Sequence, residues 1–394
     1  MSKIKLTNGR VITTQRIISD ATVLIVDNKI SEIGAGDIEC PDAQVIDVEG
    51  KYISPGFIDI HIHGGGNHDF MDGSVDAFLA IAETHAKYGT TAMVPTTLTS
   101  EKENLLNTLS LYEEANRINS KGSQFLGMHL EGPYFAMNQR GAQDPRYIRN
   151  PDPKEYEEVI SKSSCISRWS AAPELPGSLE FGRYLRENGI LAAIAHTDAV
   201  YEEVVDAVEC GYSLATHLYS GMSGVTRRNA HRYAGVIESA FIIDSMDVEV
   251  IADGIHLPAP FLRLIYKIKG PDRIALITDA MRGAGMPPGE SILGNKDSGL
   301  KVIIEEGVAK LPDRTAFAGS VATADRLVRN MIELADVPLV EAVKMMSITP
   351  ARIVGVDSNK GSLMVGKDAD IVVFDEKINI FMTMVNGNIV YKNL

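Results

Sequence analysis

Cysteine is nearly absent from this chain: three in 394 residues, Cys40, Cys165 and Cys210, with no C-x-x-C spacing. An odd, scattered count fits reduced thiols in a cytoplasmic protein rather than a disulfide framework. Long apolar runs are missing too. No stretch approaches the roughly 18 residues of a membrane span, and the opening MSKIKLTNGRVITTQ has no apolar leader segment. No membrane role is expected. Positive charge is in deficit: 38 Lys and Arg stand against 52 Asp and Glu, a net charge of -14. That balance excludes a nucleic-acid surface, which needs clustered Lys and Arg. It also means that an anionic substrate requires a local basic patch. Internal repeats and low-complexity tracts are absent, and Gly64-Gly65-Gly66 does not form the G-x-G-x-x-G of a dinucleotide loop.

What remains is an ordinary globular composition, 45% hydrophobic and 23% charged, long enough for one large domain and an accessory one. The first ~53 residues hold short β-like runs (ATVLIVD, KISEIG, AQVIDVEG). The last ~35 read alike, with DADIVVFD and then INIFMTMVNGNIVY, whose Asn-Gly is a hairpin signal. Residues 1–53 and 355–394 are therefore expected to form one small β-sandwich from both chain ends. Between them, 54–354 alternates strand and helix. Candidate strands lie at 57–63, 91–97, 125–131, 168–174, 191–197, 212–218, 248–254 and 273–279. Helical segments such as VDAFLAIAETHAKYG and YEEVVDAVECG separate most of them and close on Gly. Eight strands in alternation predict an α/β fold, a (β/α)8 TIM-like barrel, with its chemistry at the C-terminal strand ends.

Those ends are where the His, Asp and Glu residues concentrate. His61 and His63 close the first strand at i and i+2, which turns both imidazoles to one spot. Glu131 ends the third strand, His196 the fifth, His217 the sixth and Asp279 the eighth. Four histidines and two carboxylates at one barrel mouth suit a borderline divalent ion, Zn²⁺ or Fe²⁺. His85, His68 and His231 are expected to be ordinary satisfied or solvated histidines. His129 shares a strand face with Glu131 one pleat deeper, so it is expected to support or pack against the ligands.

PGFIDIHIHGG resembles the metal-binding opening of the amidohydrolase superfamily. LEGPY (130–134), AHTDA (195–199), ATHLYSGM (215–222), ADGIHLP (252–258), LITDAM (276–281) and AGSVATADRLVRN (318–330) together resemble the N-acetylglucosamine-6-phosphate deacetylases within it. GSLMVGKDADIVVFD (361–375) is similar to the superfamily's closing segment. The resemblance implies a homodimer that deacetylates a phosphorylated amino sugar with one or two divalent ions. Glu131, His196 and His217 would hold one ion. His61, His63 and Asp279 would hold, or help hold, a second, with Glu131 as the bridge. Asp279 would be general base and then acid, or a ligand only. Substrate contacts would fall on Ala142, Gln143, Ser220, Gly221, His256 and the Phe317-Ala318-Gly319 turn. Arg227 or Arg228, depending on loop register, would meet the phosphate. The chain departs from the family at Gln143, where His is usual, at Ser220-Gly221, where Asn-Ala is common, and over Thr226–Tyr233. Another N-acetylhexosamine phosphate, another N-acyl compound and a non-catalytic scaffold are the alternatives.

Overall fold

A computed structural model describes residues 2–394. Its centre is a parallel, nearly closed barrel of eight strands: β1 (Phe57–Ile62), β2 (Thr90–Thr97), β3 (Met128–Glu131), β4 (Ile166–Ala171), β5 (Leu191–Ile194), β6 (Tyr212–Ala215), β7 (Asp247–Val250) and β8 (Ile274–Leu276). Each strand pairs in parallel with the next from β1 through β8. The seam between β8 and β1 is joined at its upper end by single bonds. Asp279 N–H donates to the His61 carbonyl at 2.9 Å, and His63 N–H to that of Ala280 at 2.9 Å. Below them the Thr278 hydroxyl donates to the buried Asp59 carboxylate at 2.5 Å.

Strand residues are buried on both faces, as a barrel wrapped by helices demands. Ile58, Ile60, Val94, Leu214, Ile251 and Ile277 join in one buried cluster, and Phe78, Leu109, Trp169, Phe181 and Leu262 belong to the larger cluster between strands and helices. Helix Tyr201–Cys210 stops on Gly211 at φ 116°, the left-handed cap its sequence predicts. Helix Val75–Ala86 ends earlier, before Lys87.

Both chain ends share one eight-stranded sheet, in which Tyr52–Pro55 pairs antiparallel with Ile371–Phe374. It has its own core of Leu6, Val23, Ile53, Ile371 and Met384. The Asn386-Gly387 turn forms as expected, both residues at positive φ. The strand Lys3–Ile12 is absent from the sequence reading. Its Asn8-Gly9 pair looks like a turn but makes a bulge opposite Ile17–Val26.

A second departure follows β8. Residues 289–320 build a four-stranded antiparallel sheet, Gly289–Leu293, Leu300–Glu305, Val308–Lys310 and Phe317–Ser320. No strand is expected there from the sequence, because these runs are short and mixed in polarity. The sheet matters to the site, since Leu293, Ala316, Phe317 and Gly319 reach the barrel mouth.

Candidate metal centre

The six barrel-mouth residues come together. His61 Nε2 and His63 Nε2 lie 3.3 Å apart. Glu131 Oε1 lies 3.3 Å from His196 Nε2 and 3.0 Å from His217 Nε2. Asp279 Oδ1 sits 3.2 Å from His63 Nε2 and 3.5 Å from His61 Nε2. Two triplets result, His61–His63–Asp279 and Glu131–His196–His217, each with ligand atoms within 4.8 Å of one another. Glu131 touches both, since its oxygens are also 3.6 Å from His61 and 3.4 Å from His63.

The strands are shorter than the sequence suggests. His196 and His217 fall two residues beyond β5 and β6, and Asp279 three beyond β8. All three adopt left-handed backbone, at φ 47°, 32° and 48°. Such geometry is costly for non-glycine residues and persists where surrounding bonds over-determine it. The Asp279 N–H bond to His61, and the Ser320 N–H bond to the Asp279 carbonyl at 2.8 Å, are such constraints. The glycines after His63 are required by close approach: a Cβ on Gly65 would meet the His85 ring at 2.4 Å, and one on Gly64 the His68 carbonyl at 2.3 Å.

The other expected residues divide. Ala142, Gln143, Ser220, Gly221, His256, Phe317 and Gly319 line a cavity of about 310 Å³ that also takes in His63, Glu131, His196, His217 and Asp279. Ala318 is buried beside them, and the three residues 317–319 lie in the strand Phe317–Ser320 rather than in the turn expected from the sequence. Arg227 and Arg228 are not on the cavity wall; they stand exposed on the hairpin Thr226–Arg228 / His231–Tyr233. His129 lies beneath the ligands as expected, bonded to Ser170 at 2.7 Å and Thr96 at 3.2 Å, its ring edge-on to His61. His85 is buried and bonded to the Gly64 carbonyl at 3.0 Å, His68 is half-buried beside the barrel mouth, and His231 is exposed. Gln143 lines the cavity, but its amide is engaged. Nε2 donates to Glu131 Oε2 at 2.7 Å while Oε1 accepts from Thr99 N–H and hydroxyl. Leu98 and Tyr219 also line the wall without a sequence signal.

The model for the amidohydrolase family matches residues 52–390. The chain belongs to the amidohydrolase family. It is 36% identical to an N-acetylglucosamine-6-phosphate deacetylase of Lysinibacillus sphaericus, over 93% of this chain and 92% of that one. It is 32% identical to an N-acetylgalactosamine-6-phosphate deacetylase of Escherichia coli O157:H7, over 96% and 97%. Among solved structures, a mutant N-acetyl-D-glucosamine-6-phosphate deacetylase from Mycobacterium smegmatis, in complex with N-acetyl-D-glucosamine-6-phosphate, superposes with TM-score 0.91 at 29% identity, covering 100% of both chains.

Amidohydrolases are metal-dependent, and the hydrogen bonds around this centre fit a cation. His196 Nδ1 lies 2.7 Å from the Gln139 carbonyl, and His217 Nδ1 3.1 Å from that of Ser220. Carbonyls only accept, so both Nδ1 atoms carry hydrogen. In the neutral rings the Nε2 lone pairs then face a carboxylate oxygen, acceptor against acceptor. A cation among them, or extra protons, removes that repulsion. Burial pushes the Glu131 carboxyl up, but His61, His196 and His217 together outweigh it and hold it well below the usual carboxylate range. Burial alone would lower His63; the Asp279 and Glu131 carboxylates reverse this and raise it to about 9. Of the two, His63 is the group whose proton a metal ion would displace.

Proposed function

We propose that this amidohydrolase removes the acetyl group of N-acetylglucosamine 6-phosphate, giving glucosamine 6-phosphate and acetate. The observation that carries the reading is the ligand cluster in the wall of a sugar-sized cavity. The near full-length similarity to deacetylases supports the acetamide as the bond that is cut. In this reading Glu131, His196 and His217 hold one ion, and His61, His63 and Asp279 a second, with Zn²⁺ or Fe²⁺ suited to the donor set. A divalent ion supplies Lewis acidity, polarising the acetyl carbonyl and acidifying water. Asp279 takes the proton of the attacking water and delivers it to the amine nitrogen as the C–N bond breaks. His256 donates through Nδ1 to Asp253 at 2.7 Å, which frees Nε2 to bond the substrate in the cavity. Ala142, Ser220, Gly221 and the Phe317-Ala318-Gly319 segment of the strand Phe317–Ser320 shape the rest of the sugar pocket. The free cysteines support a reducing, cytoplasmic setting.

The phosphate needs cations, and among the described residues no Lys or Arg lines the cavity. A homodimer accounts for this. Helix Ala259–Lys269 exposes Phe261, Leu264 and Ile268 along one stripe, Val225 precedes the basic hairpin and Tyr233 ends it, all between 36% and 58% exposed. A second copy covering these residues would hide apolar surface and carry Arg227 or Arg228 into a shared site. Hydrogen bonds to a charged group contribute about 1.5–3 kcal/mol, or roughly 10–150-fold in kcat/KM. Arg228→Ala, or Arg227→Ala, is therefore expected to weaken turnover of the phosphorylated sugar by that factor and leave the unphosphorylated sugar nearly untouched. Equal losses on both substrates would put the phosphate elsewhere.

The Escherichia coli O157:H7 relative favours a second reading, in which the galacto epimer is the substrate. Acetate release across N-acetylhexosamines, with and without a 6-phosphate, tests both. The phosphorylated gluco epimer is expected to react fastest. A faster galacto epimer would replace the substrate and leave the chemistry standing, whereas no release from any N-acetylhexosamine would overturn the reading.

A further inference from the structure

Under the ligand cluster lies an ion pair that no step above uses. Arg168 on β4 and Glu249 on β7 are both fully buried. Arg168 Nη1 donates to Glu249 Oε1 and to the Ile60 carbonyl at 3.2 Å, and Nη2 to the Thr216 hydroxyl at 2.8 Å. Arg168 Nε has no partner. The second carboxylate oxygen of Glu249 lies 3.2 Å from His61 Nδ1 and accepts the His217 N–H at 3.3 Å.

Burying such a pair carries a desolvation penalty that its own attraction commonly fails to exceed, so the pair by itself is a weak source of stability. Its distinctive contact is with His61. The outer nitrogens of His196 and His217 meet neutral carbonyls, and His63 Nδ1 meets nothing. Among the four histidines, His61 alone has a charged partner behind it.

We propose that Glu249, anchored by Arg168, is the positioning residue of His61 and sets the affinity of the His61–His63–Asp279 subsite for its ion. The inference rests on the reading of the two triplets as metal subsites. A carboxylate can only accept, so it fixes the hydrogen of His61 on Nδ1 and leaves the Nε2 lone pair toward Asp279 and His63. It also makes the ring a stronger donor to a cation. Arg168 holds the carboxylate in place across the barrel, with Thr216 and the Ile60 carbonyl fixing the guanidinium in turn. Glu249 touches the other subsite only through the His217 backbone, whose ring has its own anchor at Ser220. Its loss therefore falls mainly on one of the two ions.

The test is Zn²⁺ binding to the full-length apoprotein, competed against a chromogenic chelator so that two successive constants are read. Removing one member strands a buried charge, whereas replacing both by apolar residues is commonly neutral for stability. The main variant is therefore Arg168→Met with Glu249→Leu, and Glu249→Gln is the second, retaining a neutral acceptor for His61. In the double variant one of the two constants is expected to weaken by roughly 10–100-fold, the range for losing an outer partner of a metal ligand, while the other shifts only a few-fold. Glu249→Gln is expected to fall between it and the parent protein. It carries the test alone if the double variant does not fold. Wild-type constants in both variants, or in Glu249→Gln when it alone folds, would overturn the assignment while leaving the metal reading intact. Equal weakening of both constants would also overturn it, as the mark of a merely structural pair. Failure of the parent protein to bind a second ion would overturn the two-subsite reading itself, and this inference with it.

Discussion

Asp279→Asn is expected to lower kcat by roughly 10²–10⁴, the usual range for a lost acid/base group, while changing KM little. Asn keeps the size of the side chain and one oxygen, so the backbone turn at φ 48°, tied to His61 and Ser320, has no steric reason to move. What the amide cannot do is take a proton from water and return it to nitrogen. The carboxylate is suited to both. Burial pushes its pKa up, but the hydrogen bond from His63 and the neighbouring imidazoles outweigh that and hold it below the usual carboxylate range. Metal content should survive better than rate, because the nitrogens of His61 and His63 remain. Steady-state kinetics and metal analysis on one preparation check the outcome. A change confined to KM would place Asp279 in substrate binding instead.

Glu131→Gln is expected to fail differently, losing metal and rate together. Glu131 is the carboxylate that touches both triplets, with oxygens within 3.0–3.6 Å of four imidazole nitrogens. Removing its charge leaves the Nε2 donors of His196 and His217 without a third ligand. Gln143, which donates to Glu131 Oε2 at 2.7 Å, would also face an amide whose NH₂ cannot accept. Loss of an outer partner alone commonly costs 10–100-fold in metal affinity or activity, so loss of this ligand should exceed about 10²-fold in kcat/KM. Unchanged metal stoichiometry in the variant would remove Glu131 from the ligand set.

Much of this site is legible in the chain because each candidate ligand sits at, or within three residues of, the C-terminal end of a barrel strand, where local pattern and position in the barrel coincide. The HIH pair, Glu131 after an apolar run, and the AHT and ATH segments all carry that signal. The left-handed turns at His196, His217 and Asp279 do not, since only glycine advertises positive φ in a sequence. Arg168 and Glu249 were hidden for another reason. They lie 81 residues apart in two different strand-like runs, and nothing local says that the two meet inside the barrel. Two charged residues at inward positions of parallel strands that must be buried on both faces were the available clue. The family resemblance makes Gln143 a substrate contact, but its bonds to Glu131 and Thr99 depend on a loop path the sequence leaves open. Arg227 and Arg228 are visible as a basic pair, yet the hairpin that lifts them off the cavity wall is not. The sheet over 289–320 escaped because its strands lack clean alternation, and with it went Leu293 as a wall residue.

Acetate release from N-acetylglucosamine 6-phosphate by one protein sample, first stripped with a chelator and then reloaded, tests the central claim most directly. The ligand geometry predicts no turnover in the stripped protein and recovery on adding Zn²⁺ or Fe²⁺, saturating at one or two ions per chain. Full turnover in exhaustively stripped protein would contradict it.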